Sequence, residues 1–180
     1  MNKSSIRKLA GLLVLAVLLA AAPLAPAEEA PNVTELMNSY TELDLSPYLG
    51  KTVFINFFTE WCYYCMQEMP DIKALYDTYS EDELAIVLVH VWDGENADNT
   101  ASVKGKYGME EMTFFEDEDM MVASLVGLQG YPASLFLNPD GTLEAAANYM
   151  LTLEQMTGQL DAMGVARKAR RNDRSVWRRA

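Results

Sequence analysis

The sequence holds two cysteines, one histidine and, between Arg7 and Arg167, no arginine at all. Each shortage removes a class of chemistry. Structural zinc takes four cysteine or histidine ligands, and Cys62, Cys65 and His90 cannot supply them. An active site built on a guanidinium is excluded from the same stretch. Cations are scarce as well: Glu28–Gly164 carries 25 acids against four lysines, a balance of −21. Such a segment repels nucleic acid and favours basic or neutral partners. The longest apolar run, Leu9–Ala22, is short for a membrane span.

That run belongs to a leader. Lys3, Arg7 and Lys8 precede it and Ala25-Pro26-Ala27 follows as a small-x-small cleavage site, the layout of a secretory signal peptide over residues 1–27. An uncleaved leader would act as a membrane anchor. The reading is export to the periplasm or another extracytoplasmic space. Residues 28–45 then form an N-terminal extension, 46–164 the folded domain, and 165–180 a basic tail of seven cations and Asp173. The tail reads as a disordered extension, with contact to anionic lipid or cell-wall polymer as its alternative role.

In an oxidising compartment two cysteines suggest a disulfide. A bond between Cys62 and Cys65 closes so short a loop that it constrains the unfolded chain little. Stapling is therefore a poor explanation of the pair, and redox work or metal binding a better one.

The domain alternates. Val53–Phe58 and Leu84–Trp92 are apolar, β-prone runs of the kind that form buried strands. Between them Cys62–Tyr79 has helical spacing, with Pro70 inside it predicting a kink. Asp98–Tyr107 reads as helix, Met112–Phe115 as strand and Met120–Val126 as a short helix. Ala133–Leu137 and Thr142–Ala147 flank Asn138-Pro139-Asp140-Gly141, turn chemistry that marks a hairpin. Thr152 and Gln155 form a capping box for a last helix, with Leu153, Met156, Leu160 and Met163 as its buried stripe and Gly164 at its end. The order β-α-β-α-β-α-β-β-α is that of an α/β sandwich, a central mixed β-sheet with helices on both faces.

Cys62 and Cys65 stand where the first buried strand becomes a helix. Three residues apart on a helix, they share a face. Cys62 at the helix start would feel unpaired N–H groups and the positive end of the dipole, which stabilise a thiolate. Cys65, one turn in, would be shielded. The asymmetry makes a nucleophile and a resolving thiol.

The segment Phe54–Pro70, with its W-C-x-x-C-x-x-E-x-P pattern from Trp61 to Pro70, resembles the strand and active-site helix of the TlpA/ResA group, extracytoplasmic thioredoxin-fold reductases. Gly130-Tyr131-Pro132 resembles that group's cis-proline loop, and Asn138–Gly141 its hairpin. The likeness runs from about Ser46 to Gly164 and implies a thioredoxin fold and thiol–disulfide exchange. It implies an electron donor of the CcdA/DsbD membrane thiol-carrier kind. Acceptors would be exported proteins with disulfides, such as apocytochrome c or a methionine sulfoxide reductase. No cofactor is expected.

Several residues carry two readings each. Glu68, one turn beyond Cys65, is either the acceptor of the resolving thiol's proton or an ordinary solvated helix acid. Asn56 stands where cytosolic thioredoxins carry a buried Asp, and it cannot act as a base. Pro132 is read as cis, which would set the Tyr131 backbone opposite the cysteines to bind a substrate chain as a strand; a trans proline starting an edge strand is the alternative. Trp61 is a lid beside the disulfide, a packing residue, or both. His90 reads as a satisfied core residue. Tyr63 and Tyr64 bring no positive charge to the Cys62 thiolate, which argues against a strong oxidant. The function expected is disulfide reduction. Its rivals are an oxidase or isomerase of exported proteins, a Sco-like copper chaperone, for which the cysteine spacing is one short, and a peroxidase of peroxiredoxin type, which would need an arginine nearby.

Overall fold

A computed structural model describes residues 30–92 and 100–168. The leader (1–27), residues 98–99 of the helix expected over 98–107 and most of the basic tail lie outside the described residues. The elements in chain order are α1 (Val33–Tyr40), β1 (Thr52–Phe58), α2 (Tyr63–Thr78), β2 (Leu84–Val91), α3 (Thr100–Tyr107), β3 (Thr113–Asp117), α4 (Met121–Leu125), β4 (Ala133–Leu137), β5 (Leu143–Ala147) and α5 (Leu153–Ala162). The five strands form one mixed sheet in the order β3-β2-β1-β4-β5, parallel from β1 to β3 and antiparallel from β1 to β5. This is the α/β thioredoxin fold expected.

Every residue of β1 and β2 is buried, which explains their nearly unbroken apolar sequences. Alternation along β1 sorts its side chains into two layers. Phe54 and Phe58 pack with Met69, Ile72 and Leu75 of α2 and Met156 and Leu160 of α5. Val53, Ile55 and Phe57 pack on the opposite face with Val33 and Met37 of α1 and Val122 and Ala123 of α4.

Two local features depart from what the sequence suggested. Residues 28–45 were assigned to an extension, yet Val33, Met37, Leu43 and Leu45 are buried in the second layer. Asn32 caps α1, its Oδ1 accepting from the Glu35 N–H at 2.9 Å. The helix start is tied to the β4–β5 turn by Val33 N–H donating to Gly141 O at 2.9 Å. At the other end, residues 165–168 of the tail segment also pack: Val165 is buried, Arg167 pairs with Asp161, and the Lys168 N–H donates to Thr78 O at 2.9 Å. The apolar Val165 and the free carbonyl at the end of α2 explain why the chain stays down that far.

Pro70 lies inside α2, which continues through it to Thr78. Proline donates no hydrogen bond, so the Met66 carbonyl four residues back loses its helical partner. The Tyr107 hydroxyl replaces it, donating to Met66 O at 3.0 Å from the end of α3.

The β4–β5 turn requires glycine. Gly141 has φ +86, and a Cβ there would lie 2.6 Å from the Thr34 side chain. Gly141→Ala should therefore lower the unfolding free energy by about 2 kcal/mol through left-handed backbone and collision with α1. Urea denaturation checks this, and a loss under about 0.5 kcal/mol would show that α1 is not held as described.

Candidate active site

β1 ends at Phe58, and Thr59–Trp61 turn the chain into α2. Cys62 takes the N-cap position of that helix with extended backbone (φ −74, ψ 107), and its sulfur accepts the Cys65 N–H at 3.1 Å. An oxygen of Ser, Thr, Asp or Asn ordinarily makes this bond. Sulfur in the same place sits at the positive end of the helix dipole. Cys62 and Cys65 are joined in a disulfide with Cα atoms 5.2 Å apart. Cys62 is 5% exposed and Cys65 not at all, so the two sulfurs are unequal in access as their positions implied.

Glu68 is not a solvated helix acid. It is 1% exposed, turned inward between α2, the sheet and the loop before α5. One carboxylate oxygen accepts the Leu151 N–H at 2.7 Å and the other accepts from the Asn56 amide at 3.0 Å. Burial pushes its pKa up from the usual carboxylate range to about 7, against the two hydrogen bonds that favour the charged form, with a small further push from Asp71. Asp71 is engaged in turn, accepting the Leu153 N–H at the start of α5 at 3.0 Å.

The Asn56 amide also donates to Ser134 Oγ at 3.0 Å, across the β1–β4 pair in which the two residues stand opposite. Ser134 and the Leu151 N–H were not singled out in the sequence. Only strand register and the path of the β5–α5 loop bring them to Glu68, and neither leaves a local pattern.

The Tyr131–Pro132 bond is cis. Trp61 and Tyr131 meet edge to face with ring centroids 6.1 Å apart, so the cysteine segment and the proline loop lie side by side. Trp61, Tyr63 and Tyr64 are 68%, 69% and 61% exposed, and the two tyrosines touch edge on at 5.5 Å. An aromatic collar thus surrounds nearly covered sulfurs.

His90 is buried at the end of β2, stacked on Phe58 at 5.1 Å, with Nδ1 2.7 Å from Glu116 Oε2. Trp92 Nε1 donates to the same oxygen at 3.1 Å. Burial would raise the Glu116 pKa, but hydrogen bonds from Thr100, His90 and Trp92 outweigh it and lower it. Among the described residues no group of three or more His, Cys, Asp or Glu side chains is placed to hold a metal ion. Nor is any helix among them long and apolar enough to cross a membrane.

The pattern of the AhpC/TSA family matches residues 26–146, two thirds of the chain. The chain belongs to the AhpC/TSA family. Within it, the chain is 31% identical over 140 residues to the thiol-disulfide oxidoreductase ResA of Oceanobacillus iheyensis, covering 76% of this chain and 69% of that one. Among solved structures it resembles a thioredoxin-family thiol:disulfide interchange protein of Chlorobium tepidum, with TM-score 0.62 and 18% identity over 77% of this chain and 99% of that one. It also resembles a secreted Mycobacterium tuberculosis disulfide oxidoreductase homologous to Escherichia coli DsbE, with TM-score 0.58 and 20% identity over 75% of this chain and 95% of that one. With its Cys62–Cys65 pair, this AhpC/TSA member is a thiol–disulfide oxidoreductase. Among the described residues no guanidinium stands at the cysteines. Arg167, the one arginine among the described residues, bridges to Tyr79 beyond the far end of α2, about 24 Å from Cys62 along a 16-residue helix.

The raised Glu68 pKa has a consequence for stability. The folded protein holds this proton more tightly than the unfolded chain, so the stabilisation is complete below the unfolded value of 4.5 and is lost as pH rises through about 7. Glu68→Gln, which cannot ionise, should therefore gain on the parent protein by about 3 kcal/mol between pH 4 and pH 8 in the disulfide form. Parallel denaturant titrations at the two pH values test this; an unchanged difference would mean that Glu68 titrates as in water.

Proposed function

We propose that the protein is exported and reduces disulfides of extracytoplasmic proteins, with Glu68 taking the proton of Cys65. The observation that carries this reading is a carboxylate buried one helical turn beyond a buried cysteine, with its proton affinity brought near neutrality. Reduced Cys62, as thiolate, attacks one sulfur of a partner's disulfide, and the other sulfur leaves as thiolate. Cys65 gives its proton to Glu68, and the Cys65 thiolate attacks Cys62 Sγ. The Cys62–Cys65 disulfide forms, the partner's second sulfur leaves, and the Glu68 proton passes to it or to water. Two electrons move from the dithiol to the partner.

The reductive direction is supported by the surroundings of Cys62. Its sulfur has the helix start and one N–H bond, while the residues between the cysteines are neutral phenols. A strong oxidant depends on a much more stabilised thiolate. The leader with its cleavage site supports export, as does the likeness to a secreted oxidoreductase. A reductase in an oxidising space needs a donor, for which a membrane thiol carrier of the CcdA/DsbD kind is the fitting class. Apocytochrome c or an exported methionine sulfoxide reductase would be acceptors. Trp61 and the Tyr131–Pro132 backbone would receive the partner chain in extended form.

Cys62→Ser should abolish reduction of an insulin-type disulfide, whereas Cys65→Ser should accumulate mixed disulfides on Cys62, read by mass spectrometry under non-reducing conditions. Trapping through Cys65 in the Cys62→Ser variant would reverse the two roles. A reduction potential well above the poise of the exported compartment would replace reductase by oxidase.

A further inference from the structure

Asn56 is the link between Glu68 and the sheet, and its hydrogen bonding is unusual. Both N–H groups are used, one on Glu68 Oε2 and one on Ser134 Oγ, each at 3.0 Å. Its carbonyl oxygen is buried and without a partner. Asn56 and Ser134 are themselves completely buried. A planar amide with one N–H fixed has its other N–H fixed too, because the two directions are locked in one plane. Ser134 is well suited to do the fixing. It lies directly opposite Asn56 in the β1–β4 register, on the neighbouring strand of the central sheet.

We propose that Ser134 is a positioning residue: its hydroxyl anchors the Asn56 amide so that the remaining N–H points at Glu68 and keeps that carboxyl able to exist as a carboxylate beside Cys65. The proposal rests on the reading of Glu68 as proton acceptor. Without the Ser134 hydroxyl the amide pivots about a single bond with two unpaired polar groups in a dry site. Its bond to Glu68 weakens, and burial then acts on the carboxyl with less opposition. The charged form becomes rarer at neutral pH and Cys65 loses its acceptor.

Among the described residues the other titratable or charged groups facing Glu68 are few. On its own helix they are Cys65 and Asp71, the latter held by the Leu153 N–H. β1, β4 and Met150–Thr152 contribute no ionisable residue. A shift in Glu68 on changing Ser134 therefore has one route, through the Asn56 amide.

The test is a carbon NMR titration of the Glu68 carboxyl in the disulfide form, with thermal melting to show that each variant is folded. The unaltered chain is expected to titrate at about 7. Ser134→Ala should move the midpoint up by about one unit, a tenfold lower carboxylate-to-acid ratio below the midpoint, the size of one weakened hydrogen bond to a charge. Ser134→Thr, which keeps the hydroxyl, should restore it. In an Asn56→Ala background, Ser134→Ala should produce no further shift. An unmoved midpoint in folded Ser134→Ala overturns the proposal, and so does an equal shift with and without Asn56. If the extra methyl of threonine prevents folding, the Asn56 cycle still decides. The catalytic reading is examined separately by rapid mixing with Glu68→Gln. A normal rate of Cys65 attack on the mixed disulfide would retire Glu68 as base, while the titration alone speaks to Ser134.

Discussion

A carboxylate that enters a protein core must find donors there or give up its charge. Glu68 finds two, and they come from elements far apart in the chain: the Asn56 amide on the central strand and the Leu151 N–H on the way into α5. The same carboxylate thus ties α2, the sheet and the closing helix together at the level of Cys65. Two hydrogen bonds are not enough to cancel its burial, and the pKa settles near 7. A fully solvated acid would be ionised at every physiological pH but too weak a base to take a thiol's proton. A fully desolvated one would stay protonated. The balance between burial and two donors gives a group that can do both.

Holding that carboxylate in place requires α2 to be rigid despite Pro70. The helix continues to Thr78, and the carbonyl released at Met66, the residue after Cys65, is taken up by the Tyr107 hydroxyl. Asp71 then accepts the Leu153 N–H and anchors the start of α5, itself closed by the Thr152–Gln155 capping box. The Met66 carbonyl and the Glu68 and Asp71 carboxylates are thus each matched by a partner from another element, whereas the Asn56 carbonyl oxygen is not. The helical layer over this face is therefore held by directional bonds as well as by the apolar packing of Met69, Ile72, Met156 and Leu160.

Much of this was legible in the chain. Strongly patterned elements came through because their signals are local: the apolar runs of β1 and β2, the turn at Asn138–Gly141, and the capping box. The placement of Cys62 at a helix start followed from a strand running into a C-x-x-C. What could not be read depends on register and docking. Residues 28–45 read as an extension because α1 is short and its apolar residues are few; that helix packs on a sheet face and is bonded to the Gly141 carbonyl at its N-terminus. Glu68 could also be read as a solvated acid, since nothing in Met66–Pro70 says which way the side chain turns. Ser134 is invisible until β4 is placed antiparallel to β1, and Tyr107 until α3 lies across Pro70.

Recognition at such a site divides between two ranges. The segment 28–164 carries a charge balance of −21, which favours encounter with basic partners and opposes acidic ones over roughly the 8 Å that salt allows. The groups around the sulfurs are of another kind. Trp61, Tyr63, Tyr64 and Tyr131 are neutral, and the first three are largely exposed. They act only at contact, by area and by hydrogen bonds from the phenols. Cys62, at 5% exposure, cannot be reached by a folded, convex surface unless this collar or the partner yields. A chain that arrives extended presents a narrower approach than a folded surface does. On the proposed reading such a chain would pair with the backbone before the cis proline, beside the touching rings of Trp61 and Tyr131, and that mode of binding would favour disulfides in unfolded or flexible segments over those buried in finished domains.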